Sequence, residues 1–271
     1  MIVARGLSKR YGEHQALAGL DLEVRPGEVF ALFGGNGAGK STTVNLFLGF
    51  IPPSGGQATV AGHDVAGTAA QQLAAKRNLA YVAENVMLYG HASPRENLAY
   101  FAELGGQRLD RAALDAALAG AGLDASAFDR PVRLLSKGMR QKCGLAIAFA
   151  RQAPALFLDE PFSGLDPISL GTAAQLIRQL NDSMGLTSIF VSHELEQTFA
   201  ISDHVIILAN GKVASQGTPA QVRVSTDPLV FQYVNGLSDG PVRFHYPGSS
   251  VAQDFGAAAP RAAVASEAVT P

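Results

Sequence analysis

The segment Gly34-Gly35-Asn36-Gly37-Ala38-Gly39-Lys40-Ser41-Thr42 follows directly on the apolar run Val29-Phe30-Ala31-Leu32-Phe33. Its spacing is Gly, four residues, Gly-Lys-Ser. This reads as a buried strand that turns into a helix through a glycine-rich loop. Glycines let backbone N–H groups converge on one point, because no Cβ blocks the approach. The helix that follows aims its positive end at the same point. Lys40 adds a compact charge for outer phosphates, and the Ser41 hydroxyl is suited to Mg²⁺. As purely local structure the same residues make a glycine-rich turn before an ordinary helix. The strand in front and the complete spacing favour a cradle for a nucleoside triphosphate.

Composition narrows what such a cradle serves. A net charge of −2 over 271 residues leaves no overall electrostatic footprint for nucleic acid, so no nucleic-acid partner is expected. Cys143 is the lone cysteine, which excludes an intrachain disulfide and a cysteine zinc cluster. Met1-Ile2-Val3-Ala4-Arg5-Gly6 lacks the basic end and apolar core of a secretory signal. No apolar run approaches the roughly 20 residues that cross a bilayer. The expectation is a cytosolic chain that meets a membrane only through a partner. Its length suits one large core, or one α/β domain with an inserted subdomain.

Along the chain, the N-terminal stretch reads as short strands and turns, with apolar Leu17, Leu20, Leu22 and Val24 before the turn Arg25-Pro26-Gly27. A turn cluster at Pro52–Gly56 leads to a strand pair around Thr59–Ala61, and Leu79–Val82 is a short strand. Ser93-Pro94-Arg95-Glu96 has capping-box spacing with Pro at the first helical position, and opens a helix through Phe101. A second helical stretch runs from Arg111 to Leu118, so 85–150 reads as a helical insertion. Strand-like runs return at Ala155–Leu158, Ser188–Val191 and Val205–Leu208, with a helical pattern between the first two. Near-continuous apolar strands alternating with helices predict a parallel, doubly covered sheet. The Ala-rich end, 249–271, reads as a flexible tail.

Leu156-Phe157-Leu158-Asp159-Glu160 is an apolar strand ending in two acids. Its plain reading is a strand running out into solvated carboxylates. Beside a phosphate loop it suits Mg²⁺, which prefers hard oxygen ligands. Neighbours on a strand face opposite ways, so Asp159 is assigned to the metal and Glu160 to the attacking water, as orienting group or base. In Leu135-Ser136-Lys137-Gly138-Met139-Arg140-Gln141, Ser136 is placed as a helix N-cap. An ordinary capped helix suffices locally; a second anion contact at its start is the sharper alternative.

These motifs, in this order, resemble the nucleotide-binding subunit of ATP-binding cassette (ABC) transporters over about residues 1–235. Gly34–Thr42 resembles Walker A, Ala155–Glu160 Walker B, Leu135–Met139 the signature motif, and Ser163-Gly164-Leu165-Asp166 the D-loop. His193 matches the switch histidine, and Tyr11 the aromatic residue that stacks on adenine. The resemblance implies a P-loop α/β fold: a parallel sheet core, an N-terminal antiparallel β subdomain and an inserted helical subdomain. It implies ATP and Mg²⁺, and a head-to-tail homodimer. ATP would lie between Gly34, Gly35, Asn36, Gly37, Ala38, Gly39, Lys40, Ser41 and Thr42 of one copy and Ser136, Gly138 and Met139 of the other. His193 would report the γ-phosphate, and a separate transmembrane permease would hold the subunit on the cytoplasmic face of the inner membrane. The other histidines, His14, His63, His91, His204 and His245, match no motif and are taken as structural or surface groups.

Four positions depart from the family pattern. Glu84 stands where Gln is usual, and is placed near Mg²⁺ with a different charge. Lys137 and Met139 replace the commoner Gly and Gln of the signature. Gly35 stands where proline is frequent. Residues up to about 150, notably 136–142 and 84–86, look like ATPases of ABC-2-type exporters. The later part, above all Asp239-Gly240-Pro241-Val242-Arg243-Phe244-His245-Tyr246-Pro247, is similar to the ATPase of bacterial phospholipid-trafficking systems. That group's extension, here 236–248, is implied to help hold the dimer. A non-transport ABC ATPase is the rival class, but it typically carries two cassettes or a long coiled-coil insertion, and this chain has neither.

Overall fold

The computed structural model describes residues 1–237 and 239–242. The expected tail at 249–271, and residues 238 and 243–248 of the extension, lie outside the described residues. In chain order the regular elements are β1 (Ile2–Tyr11), β2 (His14–Val24), β3 (Val29–Gly34), α1 (Lys40–Phe47), β4 (Gly55–Val60), β5 (His63–Asp64), α2 (Ala69–Arg77) and β6 (Leu79–Val82). Then follow α3 (Pro94–Leu104), α4 (Arg111–Gly120), α5 (Lys137–Ala150), β7 (Ala155–Asp159), α6 (Pro167–Met184), β8 (Thr187–Val191), α7 (Leu195–Ile201), β9 (His204–Ala209), β10 (Lys212–Gly217), α8 (Pro219–Arg223) and α9 (Pro228–Asn235).

Two sheets result. An antiparallel sheet runs β2-β1-β4-β5, and a six-stranded sheet runs β10-β9-β3-β8-β7-β6. In the second, β6, β7, β8, β3 and β9 are parallel, and β10 closes one edge antiparallel to β9. Both sides of this sheet are covered. One side shares a core with the helical segment, through Leu98, Leu118, Phe128, Leu156, Leu158 and Phe190. The other packs on α1 and the antiparallel sheet through Leu7, Leu20, Phe47 and Phe157. Burial on both sides explains why β3, β7 and β8 read as unbroken apolar runs.

The N-terminal strands are longer than their sequence suggests. β1 and β2 form one long hairpin, but its register slips near Leu7 and Lys9. Each slip shifts which residues face inward, so the alternation on which a strand reading depends is broken. The helical starts, by contrast, are as the caps predict. Ser93 and Glu96 make a reciprocal capping box at α3, and Ser136 caps α5. α2 is rich in alanine with only Ala75 buried, so it carries no stripe of large apolar residues, and its Thr68/Gln71 capping box is its one sequence signal.

β3 ends in a place with no spare room. A methyl group built on Gly34, at φ +150, would lie 2.4 Å from the Leu208 carbonyl oxygen. One on Gly35 would meet nothing within 4 Å. Gly34→Ala is therefore expected to cost at least about 2 kcal/mol of stability through backbone strain and displacement. Gly35→Ala is expected to cost less than about 1 kcal/mol. Urea unfolding of the two variants checks the contrast, and equal midpoints would contradict it.

Candidate nucleotide site

The site is built by the carboxyl ends of four neighbouring parallel strands. β3 ends at Gly34 and runs into the glycine loop. β8 ends at Val191 and leads to His193. β7 ends at Asp159 and leads to Glu160, and β6 leads to Glu84. Strands packed in one sheet deliver these residues to one edge, as ligand sites in open α/β sheets require. A cleft of about 370 Å³ at that edge is lined by Tyr11, the loop Gly35–Thr42, Glu84, Asp159, Glu160 and His193. His14, opposite Tyr11 at the β1–β2 turn, lines it too.

The start of α1 is left open. Seven other helices, α2 to α6, α8 and α9, carry a side-chain oxygen on their first-turn N–H groups. α1 begins at Gly39, φ 106, with no side-chain cap. Its first-turn donors face the cleft without a partner from the chain, which is the condition for anion binding. Gly39 admits no side chain, because a Cβ there would lie 2.7 Å from the Ala16 carbonyl oxygen. The Lys40 ammonium is buried and folded back on the loop. It donates to the Gly34 carbonyl at 2.6 Å and to the Gly35 carbonyl at 3.1 Å. Burial lowers its pKa, and Glu160 and Asp159 oppose that shift.

The two acids differ in place as well as in sequence. Asp159 is the last residue of β7 and accepts a hydrogen bond from the Tyr81 hydroxyl at 3.2 Å. Glu160 lies beyond the strand with φ 49, a left-handed backbone uncommon for a side chain of this kind. Its own N–H donates to the Val191 carbonyl at 2.8 Å. The left-handed turn, rather than strand alternation, is what re-aims Glu160. One of its oxygens accepts from the His193 N–H at 3.2 Å and the other lies 3.1 Å from His193 Nε2. Burial pushes the Glu160 carboxyl up to about 7, with Asp159 and Glu84 adding to the shift and the His193 N–H and Lys40 opposing it. Asp159 is also raised, chiefly by burial, and His193 is lowered by burial and by Lys40.

Ser136, Gly138 and Met139 do not line this cleft. Ser136 Oγ accepts from the Met139 N–H at 3.2 Å and is exposed at the start of α5. A Cβ on Gly138 would come within 3.0 Å of Leu165, so the D-loop rests on the signature segment. Lys137 donates to Ser163 Oγ at 3.1 Å, and Ser163 Oγ donates to Glu84 at 3.1 Å. Sequence reasoning assigned no role to Tyr81, to the Ser163 hydroxyl or to the Lys137 ammonium. Tyr81 offered no signal, being one aromatic residue in a short apolar strand.

An open helix start, a lysine over a glycine loop and a carboxylate at the end of the adjacent strand but one define a P-loop nucleotide hydrolase. Residues 17–163 match the family described as "ABC transporter". The chain belongs to the ABC transporter family, as the ATP-binding, ATP-hydrolysing subunit of a transporter. It is 34% identical over 260 residues to the intermembrane phospholipid transport system ATP-binding protein MlaF of Haemophilus influenzae, covering 94% of this chain and 96% of that protein. It is 33% identical over 249 residues to the sulfate/thiosulfate import ATP-binding protein CysA of Thermosynechococcus vestitus, covering 89% of this chain and 70% of that one. Among solved structures it resembles cbiO1 from Clostridium perfringens, part of the transporter complex cbiONQ, with a TM-score of 0.75 at 26% identity over 86% of this chain and 94% of that one. Cassettes of this family work as dimers with a separate transmembrane permease. Among the described residues no helix is long and apolar enough to cross a membrane.

The raised Glu160 carboxyl sets a sign for stability. Its folded pKa of about 7 lies above the ordinary 4.5, so the folded chain holds this proton more tightly than the unfolded one. The group's effect on stability is least unfavourable below about 4.5 and worsens as pH rises to about 7. Glu160→Gln is therefore expected to raise the melting temperature clearly at about pH 8, and much less at about pH 5. Thermal unfolding of the nucleotide-free protein at both pH values checks this. A larger gain at the lower pH would reverse the assignment.

Proposed function

We propose that the triphosphate of ATP sits over the start of α1, between this cleft and the signature segment of a second, head-to-tail copy of the chain. The uncapped helix start carries this reading, because it offers backbone donors and Lys40 to phosphate oxygens from one side only. Ser136, Gly138 and Met139 do not line this cleft, and in this reading they serve the ATP of the other copy. A nucleotide gripped by both copies favours the closed dimer, which is the differential affinity a motor needs. Tyr11, about half exposed at the rim, offers its ring to adenine.

The oxygen donors of Ser41, Glu84 and Asp159 line one cleft and form a hard set suited to Mg²⁺. When bound, the ion supplies charge neutralisation on the outer phosphates. Glu160 orients the attacking water and accepts its proton; a carboxyl titrating near 7 is matched to that task at neutral pH. His193, more than half exposed beside Glu160, contacts the γ-phosphate and registers its loss. Residues 1–235 form the cassette in this reading, with 85–150 as its helical arm.

The transporter, in this reading, moves phospholipid, with the subunit on the cytoplasmic face of the inner membrane. The supporting observation is the reach of the similarity, nearly end to end with the phospholipid-system relative. The sulfate/thiosulfate relative is longer than the part matched here. The permease has a fitting seat. An apolar groove of about 370 Å³ runs beside Glu84 between Val86, Leu88, Phe101 and Ile147, and leaves Met87 and Leu104 largely exposed.

Two outcomes are expected. Lys40→Ala and Ser136→Ala chains should each be inactive alone, whereas mixing them under subunit exchange should restore part of the ATPase rate through one intact composite site. No recovery, with mixed dimers present, would contradict the shared site. Separately, the complex purified with its permease should carry phospholipid, found by mass spectrometry, and should hydrolyse ATP faster when phospholipid is supplied. A complex without lipid, unaffected by its addition, would remove the cargo assignment.

A further inference from the structure

Tyr233 lies outside every role assigned above, yet it touches the first peptide of the phosphate loop. Its hydroxyl accepts from the Gly34 N–H at 3.2 Å and donates to the Gly34 carbonyl at 3.3 Å. The residue comes from α9, nearly two hundred positions further along the chain. That helix is firmly seated. Asp227 caps its start, and Val230 is fully buried in a cluster with Ala31, Phe33, Val205 and Ile207. The buried Gln232 donates to the Leu237 and Val242 carbonyls at 3.2 and 2.8 Å and accepts from the Val242 N–H at 2.9 Å. Tyr233 is thus presented by a fixed support.

The Gly34 carbonyl has two partners, Lys40 Nζ and the Tyr233 hydroxyl. An ammonium has three protons to give, and Lys40 spends two of them on Gly34 and Gly35. To serve an outer phosphate fully it must release at least one carbonyl. A buried carbonyl left without a donor is costly, and Gly34 is buried where water has no easy access. The tyrosine hydroxyl is a second donor on that carbonyl, carried by a different element from Lys40.

We propose that Tyr233 is a positioning residue for the phosphate loop. It holds the Gly34 peptide in place and keeps its carbonyl satisfied while Lys40 turns from the loop to the phosphates. The inference rests on the reading of Lys40 as a phosphate ligand. A tyrosine that merely fills space and finds a nearby acceptor would affect stability alone. A tyrosine that offsets the release of Lys40 affects nucleotide affinity, and only when Lys40 is present.

The test is a double-mutant cycle on the full chain, read by equilibrium binding of a non-hydrolysable ATP analogue with Mg²⁺. Tyr233→Phe removes the hydroxyl and keeps the ring. It is expected to raise the Kd by about three- to tenfold, the weight of one hydrogen bond, with kcat at saturating ATP changed by less than about twofold. In the Lys40→Ala background the same substitution should leave the Kd unchanged. Deuterium exchange at the Gly34 amide should also be faster in Tyr233→Phe, which reports the contact in folded protein. An unchanged Kd in Tyr233→Phe, or the same factor in both backgrounds, overturns the inference. If Lys40→Ala alone leaves the Kd untouched, the reading of Lys40 as phosphate ligand fails instead, and the two failures are thereby told apart.

Discussion

Among the described residues that line the cleft, Lys40 is the one lysine or arginine, and it shares the cleft with Asp159, Glu160 and Glu84. The ammonium is buried and loses solvation. It is held by two carbonyls of its own loop and by the field of the acids. The acids are held in turn: Lys40 lowers the pKa of both Asp159 and Glu160 against the burial that raises them. Neither sign is stable there alone, since an unpaired buried charge costs several kcal/mol, roughly, even after relaxation. The charges stay close because each sits at the end of an apolar strand or the start of a helix anchored in the sheet. Phe33, Phe157 and Phe190 are almost wholly buried beneath them. At roughly 1.5–3 kcal/mol for each buried side chain of this size, the sheet resists the repulsion that three carboxylates would otherwise impose. The rigid layer makes a strained cluster persist.

That arrangement explains which parts of the site were legible in the sequence. Gly34–Thr42 and Asp159 announce themselves because a buried strand and an adjacent turn leave their mark within a few residues. Their chemistry follows from local backbone geometry. Glu160 was assigned to water chemistry on the premise that strand neighbours alternate, but the strand stops before it. Its φ of 49 depends on the Glu160 N–H reaching Val191 on the next strand, a tertiary contact that no local pattern encodes. Tyr81 and Tyr233 were silent for the same reason. Each acts through a single hydroxyl carried to the site by packing, one on the adjacent strand and one from α9.

The fold divides along similar lines. The starts of α3 and α5 are readable, since side chains a few residues apart set them; α2 and α8 carry capping boxes too, but short helices with little buried face leave no periodicity behind them. The central strands were readable because burial on both sides makes them continuously apolar. The long N-terminal hairpin was not, because its register slips scramble the alternation. The antiparallel edge strand β10 was also missed. Its sequence, Lys212-Val213-Ala214-Ser215-Gln216-Gly217, is polar and half exposed, and only pairing with β9 makes it a strand.

The departures at Glu84 and Lys137 gain meaning once they are placed in space. A carboxylate at position 84 adds negative charge to a cleft already holding two acids, and it raises the pKa of both Asp159 and Glu160. Lys137 brings the opposite charge to within one hydroxyl of it, through Ser163. The two unusual residues are thus joined in one hydrogen-bonded chain that spans the loop after β6, the D-loop and the start of α5. Substituting either alone would leave Ser163 with one charged partner, and Glu84 or Lys137 without its counterpart. The pair is intelligible only as a unit. It ties the start of α5, which bears Ser136, to the cleft wall lined by Glu84 and Asp159.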